Sequence, residues 1–146
     1  MSRGPDPIIA WEALFRAQVS VMRDISTDFP QHGISMTEYD VLFNLSRLPD
    51  RQARLKDLGG QLLITQPSVS RLVERLAADG LVEKFTPADD GRGTVVRLTD
   101  AGADVFRLIG MEHARSIRRR FDGVLSNDEL RILTDLCDRV RRGPTA

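Results

Sequence analysis

Residues 66–85 read QPSVSRLVERLAADGLVEKF, and this stretch decides the fold. Val69, Leu72, Val73 and Leu76 recur at the spacing of one helical face, which predicts a helix over 66–78. Gly80 follows as the expected left-handed stop. From Leu81 the period shortens. Leu81-Val82-Glu83-Lys84-Phe85 and Thr94-Val95-Val96-Arg97-Leu98 are β-prone runs flanking the turn-rich Thr86-Pro87-Ala88-Asp89-Asp90-Gly91-Arg92-Gly93. That pattern predicts a β-hairpin with a long loop. At the other end, Ile64-Thr65-Gln66-Pro67 reads as a short connection, with Thr65 as helix cap and Pro67 in the first turn.

Working outward, Leu55, Leu58 and Leu62 share one side of a helix over about 55–62. Gly59-Gly60 inside it costs about 1 kcal/mol per glycine relative to alanine, so a close approach by the next helix is expected there. Ser35-Met36-Thr37-Glu38 has the form of a capping box, Glu38 reaching back to the cap, and opens a helix over about 36–47. Tyr39, Val41, Leu42 and Leu45 are its candidates for burial, and Pro49-Asp50 closes it. Ile8, Trp11, Leu14, Phe15, Val21, Met22, Ile25 and Phe29 follow a helical face over about 8–29. Thr99 caps a long helix over about 100–122. Ser126-Asn127-Asp128-Glu129 is a second capping box, opening a last helix over about 127–142. Two helices of roughly three turns, joined by a few residues and followed at once by a hairpin, make a winged helix-turn-helix.

Composition neither supplies nor removes a nucleic-acid partner. Lys plus Arg is 21 and Asp plus Glu is 21, so the chain is neutral, whereas phosphate binding favours a basic surface. Within 54–97 there are seven basic residues (Arg54, Lys56, Arg71, Arg75, Lys84, Arg92, Arg97) against six acidic ones (Asp57, Glu74, Asp79, Glu83, Asp89, Asp90). What matters is therefore where single cations sit. The apolar runs fall far short of the roughly 20 residues that span a bilayer, and Met1 to Pro7 lacks the apolar core of a secretory signal. A single cysteine permits no intrachain disulfide, which suits a reducing cytoplasm. Catalytic signatures are missing: there is no Gly-rich phosphate loop, no Gly-x-Ser-x-Gly and no His-Glu-x-x-His. His32, His113 and Cys137 share no metal-ligand spacing. The sequence predicts a non-enzyme without cofactor or metal.

The outer face of 66–78 offers Gln66, Ser68, Ser70, Arg71 and Arg75. Ser and Gln bond base edges or phosphates in a major groove, and Arg takes guanine bidentately. Arg92, between glycines at the hairpin tip, is placed to enter a neighbouring minor groove, where A·T tracts deepen the negative potential.

These residues resemble a known family. Ser35 to Leu42, then Leu58-Gly59-Gly60-Gln61-Leu62, Pro67 to Leu76 and Gly80-Leu81-Val82 look like successive blocks of MarR transcription regulators. Asp90-Gly91-Arg92 followed by Val95-Val96-Arg97-Leu98-Thr99-Asp100-Ala101-Gly102 is similar to that family's Asp-x-Arg wing and its Leu-Thr-x-x-Gly entry to the next helix. The resemblance covers nearly the whole chain. It implies a mainly α fold with a small β-hairpin wing, in which 35–99 form the winged DNA-binding domain. Residues 1–34 and 100–146 would then supply the helices that intertwine two copies. It also implies Gln66, Ser68, Ser70 and Arg71 nearest the bases, Arg92 as the minor-groove residue, and Asp90 bracing the wing. The implied partners are double-stranded DNA, a second copy of the chain and a small aromatic effector. Such an effector would lodge between dimer helices and DNA-binding lobe, making Trp11 a pocket residue.

Each signal has a plainer reading. Arg75 has Glu74 and Asp79 as alternative surface partners, worth only about 0.2–0.5 kcal/mol. Arg118-Arg119-Arg120 reads as a phosphate clamp or, more simply, as the charged face of a dimer helix. Trp11 reads by default as core or dimer packing, and Cys137 as a small buried hydrophobe rather than a redox sensor. A ligand-binding or protein-interaction module using the winged domain without specific DNA binding is the rival function.

Overall fold

The computed structural model describes residues 4–27, 29, 33–62, 68–88 and 93–145, with the side chain of Gln61 left aside. Six helices and three strands follow in the order α1 (Pro7–Ser26), α2 (Met36–Arg47), β1 (Gln52–Arg54), α3 (Leu55–Gln61), α4 (Val69–Ala78), β2 (Val82–Phe85), β3 (Val95–Leu98), α5 (Asp100–Phe121) and α6 (Asn127–Arg142). The mainly helical architecture with a hairpin wing is as the sequence predicts.

β1 is the addition. It pairs antiparallel with β3, Gln52 opposite Arg97 and Arg54 opposite Val95, giving a three-stranded sheet in the order β1-β3-β2. Gln52-Ala53-Arg54 carries no run of β-branched or aromatic residues, so its strand character comes from the waiting edge of β3 rather than from propensity. A 3-10 turn over Pro49–Arg51 aims the chain at that edge, with Asp50 and Arg51 both in the left-handed region at φ 55 and 54.

One apolar cluster holds α2, α3, α4, the sheet and part of α5 together. Val41, Leu42, Leu45, Leu58, Val73, Leu76 and Val96 are wholly buried in it. Phe29 joins this cluster, but α1 ends at Ser26, short of the expected 29. Of the apolar stripe on α1, Ile25 is buried while Ile8, Trp11 and Phe15 are exposed. The core reading of Trp11 is therefore wrong for this chain. Gly59 meets only Val69 Cγ2, at 3.4 Å from an added Cβ, and Gly60 meets nothing among the described residues. Among the described residues, the next helix approaches this pair at Gly59, through the Val69 side chain rather than its backbone. The capping box at Ser126 is complete: Glu129 N donates to Ser126 Oγ at 3.2 Å, and Ser126 N donates to Glu129 Oε2 at 2.8 Å.

Candidate nucleic-acid interface

The candidate recognition helix is α4. It starts at Val69, later than the expected 66, because Ser68 serves as its N-cap and accepts from Arg71 N at 3.4 Å. Thr65 and Pro67, expected in its first turn, lie outside the described residues. Leu72, Val73 and Leu76 turn inward and are buried, leaving Ser70, Arg71, Glu74 and Arg75 on the solvent side.

The far end of α4 is fixed by its C-terminal motif. Leu81 N donates to Leu76 O at 2.9 Å and Gly80 N to Ala77 O at 3.0 Å, with Gly80 at φ +74. This is the Schellman pattern, in which a left-handed glycine lets two orphan carbonyls find donors. Leu76 and Leu81 are both buried beneath it. The turn leads straight into β2, so the hairpin is rooted on the last turn of α4.

Two contacts stiffen that root. Arg97 Nη2 lies 2.6 Å from Glu83 Oε1, across the register Glu83↔Arg97, and its guanidinium stands 4.7 Å from the Phe85 ring centroid. Both charged groups are about half exposed, so the pair orients the strands more than it stabilises them. Thr99 Oγ1 donates to Gly80 O at 2.7 Å and accepts from Gly102 N at 3.0 Å, tying the end of α4 to the start of α5. A polar-faced helix, locked on its apolar side and set beside an anchored hairpin, can lay side chains along a groove without moving its own backbone.

A MarR family model matches residues 32–93. The HTH-type transcriptional regulator MhqR of Bacillus subtilis (strain 168) is 28% identical over 127 residues, covering 87% of this chain and 86% of the relative. The crystal structure of AbsC, a MarR family transcriptional regulator from Streptomyces coelicolor, superposes with a TM-score of 0.76 at 25% identity, covering 97% of both chains. That of Sco3205, a MarR family transcriptional regulator from the same organism in complex with DNA, gives 0.80 at 23% identity, covering 100% of this chain and 93% of the other. Over residues 32–93 the chain is similar to the MarR family, and its fold is that of the MarR family structures.

Within this winged fold, the predicted site residues separate. Ser70 and Arg71 are exposed on the outer edge of α4. Ser68 is at the same end, but its hydroxyl is engaged as the cap. Arg75 does not pair with Glu74 or Asp79 as the helical spacing suggests. Its Nη1 lies 3.3 Å from Glu38 Oε1 on α2. Glu38 in turn does not close the expected capping box: it accepts from Ser35 Oγ at 3.2 Å, not from the Ser35 amide. Gln66, Asp90 and Arg92 lie outside the described residues.

Away from the winged lobe, Trp11 is 60% exposed and forms a tilted ring pair with Phe15 at 5.7 Å. Arg120 bridges α5 to α1, with Nη2 2.8 Å from Ser20 Oγ and Nη1 3.4 Å from Asp24 Oδ2. The charged-face reading of the arginine run fits it better than a phosphate clamp. Among the described residues no cluster of three or more His, Cys, Asp or Glu side chains is arranged to hold a metal, and no helix is long and apolar enough to cross a membrane.

Two contributors were missed in the sequence, Glu38 and the Glu83–Arg97 pair. The second had a signal: opposite charges that fall opposite one another once the hairpin is closed in register.

Proposed function

We propose that the chain is a MarR-family regulator that binds double-stranded DNA as a homodimer, laying α4 of each copy in successive major grooves of a pseudo-palindromic site. The observation that carries the reading is the exposed Ser70–Arg71 edge on a helix pinned by Leu72, Val73 and Leu76 beside a rooted hairpin. Two such helices about 34 Å apart match one turn of B-DNA. In this reading Gln66, Ser68, Ser70 and Arg71 lie against base edges and phosphates, Arg92 enters the minor groove, and Asp90 braces the loop that carries it. A relative of the same fold solved on DNA supports the docking mode.

Dimerisation is supported by apolar surface that a lone chain leaves in water. Ile8, Ile9, Trp11 and Phe15 on α1, Leu108 and Met111 on α5, and Ile132, Leu136 and Val140 on α6 are all exposed, and α6 buries no residue at all. Apolar surface on this scale marks an interface, and a symmetric copy is the simplest occupant. Residues 1–34 and 100–146 then act as the dimer arm and 35–99 as the DNA-binding lobe, regulating rather than catalysing. A small aromatic effector would release DNA by preferring the helix spacing that does not fit the duplex, with Trp11 at its margin.

The test is a salt-titrated gel shift on duplexes enriched from genomic fragments by the protein itself. Specific binding with a linear log–log salt dependence supports the reading. Tight effector binding with no fragment enriched contradicts it and favours a ligand-binding module.

A further inference from the structure

Resting on the DNA-binding reading, we propose that Arg75 is a positioning residue rather than a DNA contact. The Glu38–Arg75 pair sets the angle at which α4 is presented and links it to α5.

Glu38 lies in the first turn of α2, with only 6% of its side chain exposed. Its surroundings hold the charge in place. Glu38 N donates to Ser35 Oγ at 3.1 Å, Ser35 Oγ donates back to Glu38 Oε1 at 3.2 Å, and Thr37 Oγ1 lies 2.9 Å from the same Ser35 hydroxyl. A carboxylate at a helix N-terminus is also favoured by the helix dipole. Arg75 reaches this carboxylate from α4 across 37 positions of sequence, while 63% of its own side chain stays in solvent.

The asymmetry in burial determines the role. If Arg75 swung out to a phosphate, Glu38 would be left buried without its cationic partner, an arrangement that is strongly unfavourable. Arg71, one turn earlier on the exposed edge, has no buried carboxylate partner of this kind among the described residues. The two arginines of α4 therefore divide the work: Arg71 faces the duplex and Arg75 faces the protein.

The joint continues toward the dimer arm. The next residue, Tyr39, stacks on Phe106 of α5 with centroids 5.4 Å apart and meets His113 of α5 edge-on at 5.3 Å. On the other side it packs against Phe29 at 5.3 Å. Residues 38 and 39 thus face opposite neighbours from one turn of α2, Glu38 holding α4 and Tyr39 holding α5. A shift of α5 that moves Tyr39 also moves the anchor of the recognition helix.

The experiment uses the full chain and a duplex enriched by wild-type protein from a random-sequence pool. Glu38→Gln, Arg75→Lys and Arg71→Ala are compared by affinity across salt concentrations, by thermal midpoint, and by amide hydrogen exchange of residues 70–78 without DNA. Positioning requires Glu38→Gln to weaken binding by about tenfold, a size typical of coupled neighbours, at an unchanged salt slope. It also requires faster exchange over 70–78 and largely restored affinity in Arg75→Lys, whereas Arg71→Ala flattens the slope. Tighter binding and a steeper slope in Glu38→Gln overturn the proposal, because they mean that Arg75 was freed to reach phosphate. A lowered thermal midpoint with unchanged affinity overturns it too, reducing the pair to structure alone. If the wild type enriches no duplex, the DNA reading fails by itself. The exchange arm then decides the joint, faster exchange over 70–78 supporting it and unchanged exchange overturning it.

Discussion

Gly102, in the first turn of α5, lies directly against the backbone carbonyl of Leu81. A Cβ built on Gly102 would collide with the Leu81 oxygen and stand 2.7 Å from Leu98 Cδ1. That same oxygen accepts from Thr99 N at 3.1 Å, so it cannot move aside without breaking the link between α4 and α5. Gly102→Ala should therefore destabilise the chain by about 3 kcal/mol, the upper part of the overpacking range. Urea denaturation checks this, and a loss under about 0.5 kcal/mol, the usual effect of a neutral surface change, would contradict it.

Tyr39 makes stability depend on alkaline pH. Burial raises its phenol above the ordinary value of 10.0, because the charged phenolate is disfavoured away from water. The stabilisation is present in full below pH 10 and is lost as pH rises through the raised folded value. Tyr39→Phe should remove that part of the alkaline loss, as read by thermal midpoints on either side of pH 10. Since the chain has a single tyrosine, phenolate absorbance reports the same titration directly. A midpoint curve identical in both proteins above pH 10 would argue against it.

The arginines of the interface should separate by salt dependence. Arg71→Ala and Arg92→Ala are each expected to flatten the log–log salt slope by about one unit per subunit where a phosphate contact is lost. A loss of discrimination worth about 1–3 kcal/mol at one base pair, with the slope intact, would instead assign that arginine to a base edge. Neither effect would strike that residue from the interface.

Leu136 tests the dimer arm. It lies mid-stripe on α6 between Ile132 and Val140, all three exposed in a single chain. Burying one leucine is worth about 2 kcal/mol, and a symmetric interface counts it twice. Leu136→Glu should weaken self-association by roughly a thousandfold while leaving the helical signal unchanged. Sedimentation equilibrium measures it; an unaltered dimer would mean that α6 faces elsewhere.

The parts of the fold legible in the sequence are those written in neighbouring residues. Ser126 with Glu129, Gly80 after Leu76, and the shift from helical to alternating apolar spacing at Leu81 each specify local geometry within a turn or two. What escaped depends on partners far along the chain. Gln52-Ala53-Arg54 becomes a strand because β3 offers an edge some 40 residues later, consistent with strand formation being set by context. Arg75 finds Glu38 rather than Glu74 or Asp79, a choice that only the packing of α4 on α2 could reveal. Ser68 reads as a residue inside the helix, yet the helix begins one residue later and takes Ser68 as its cap. Ser70 and Arg71 keep their expected exposure because the inward stripe of Leu72, Val73 and Leu76 leaves no other orientation open.

A hydroxyl-radical footprint of the wild-type complex, taken with its stoichiometry, reads the paired docking of two α4 helices. The account predicts two chains per site and two protected patches related by a two-fold axis, their centres about 10 base pairs apart. One chain bound per site, or a single unsymmetrical patch, would contradict it.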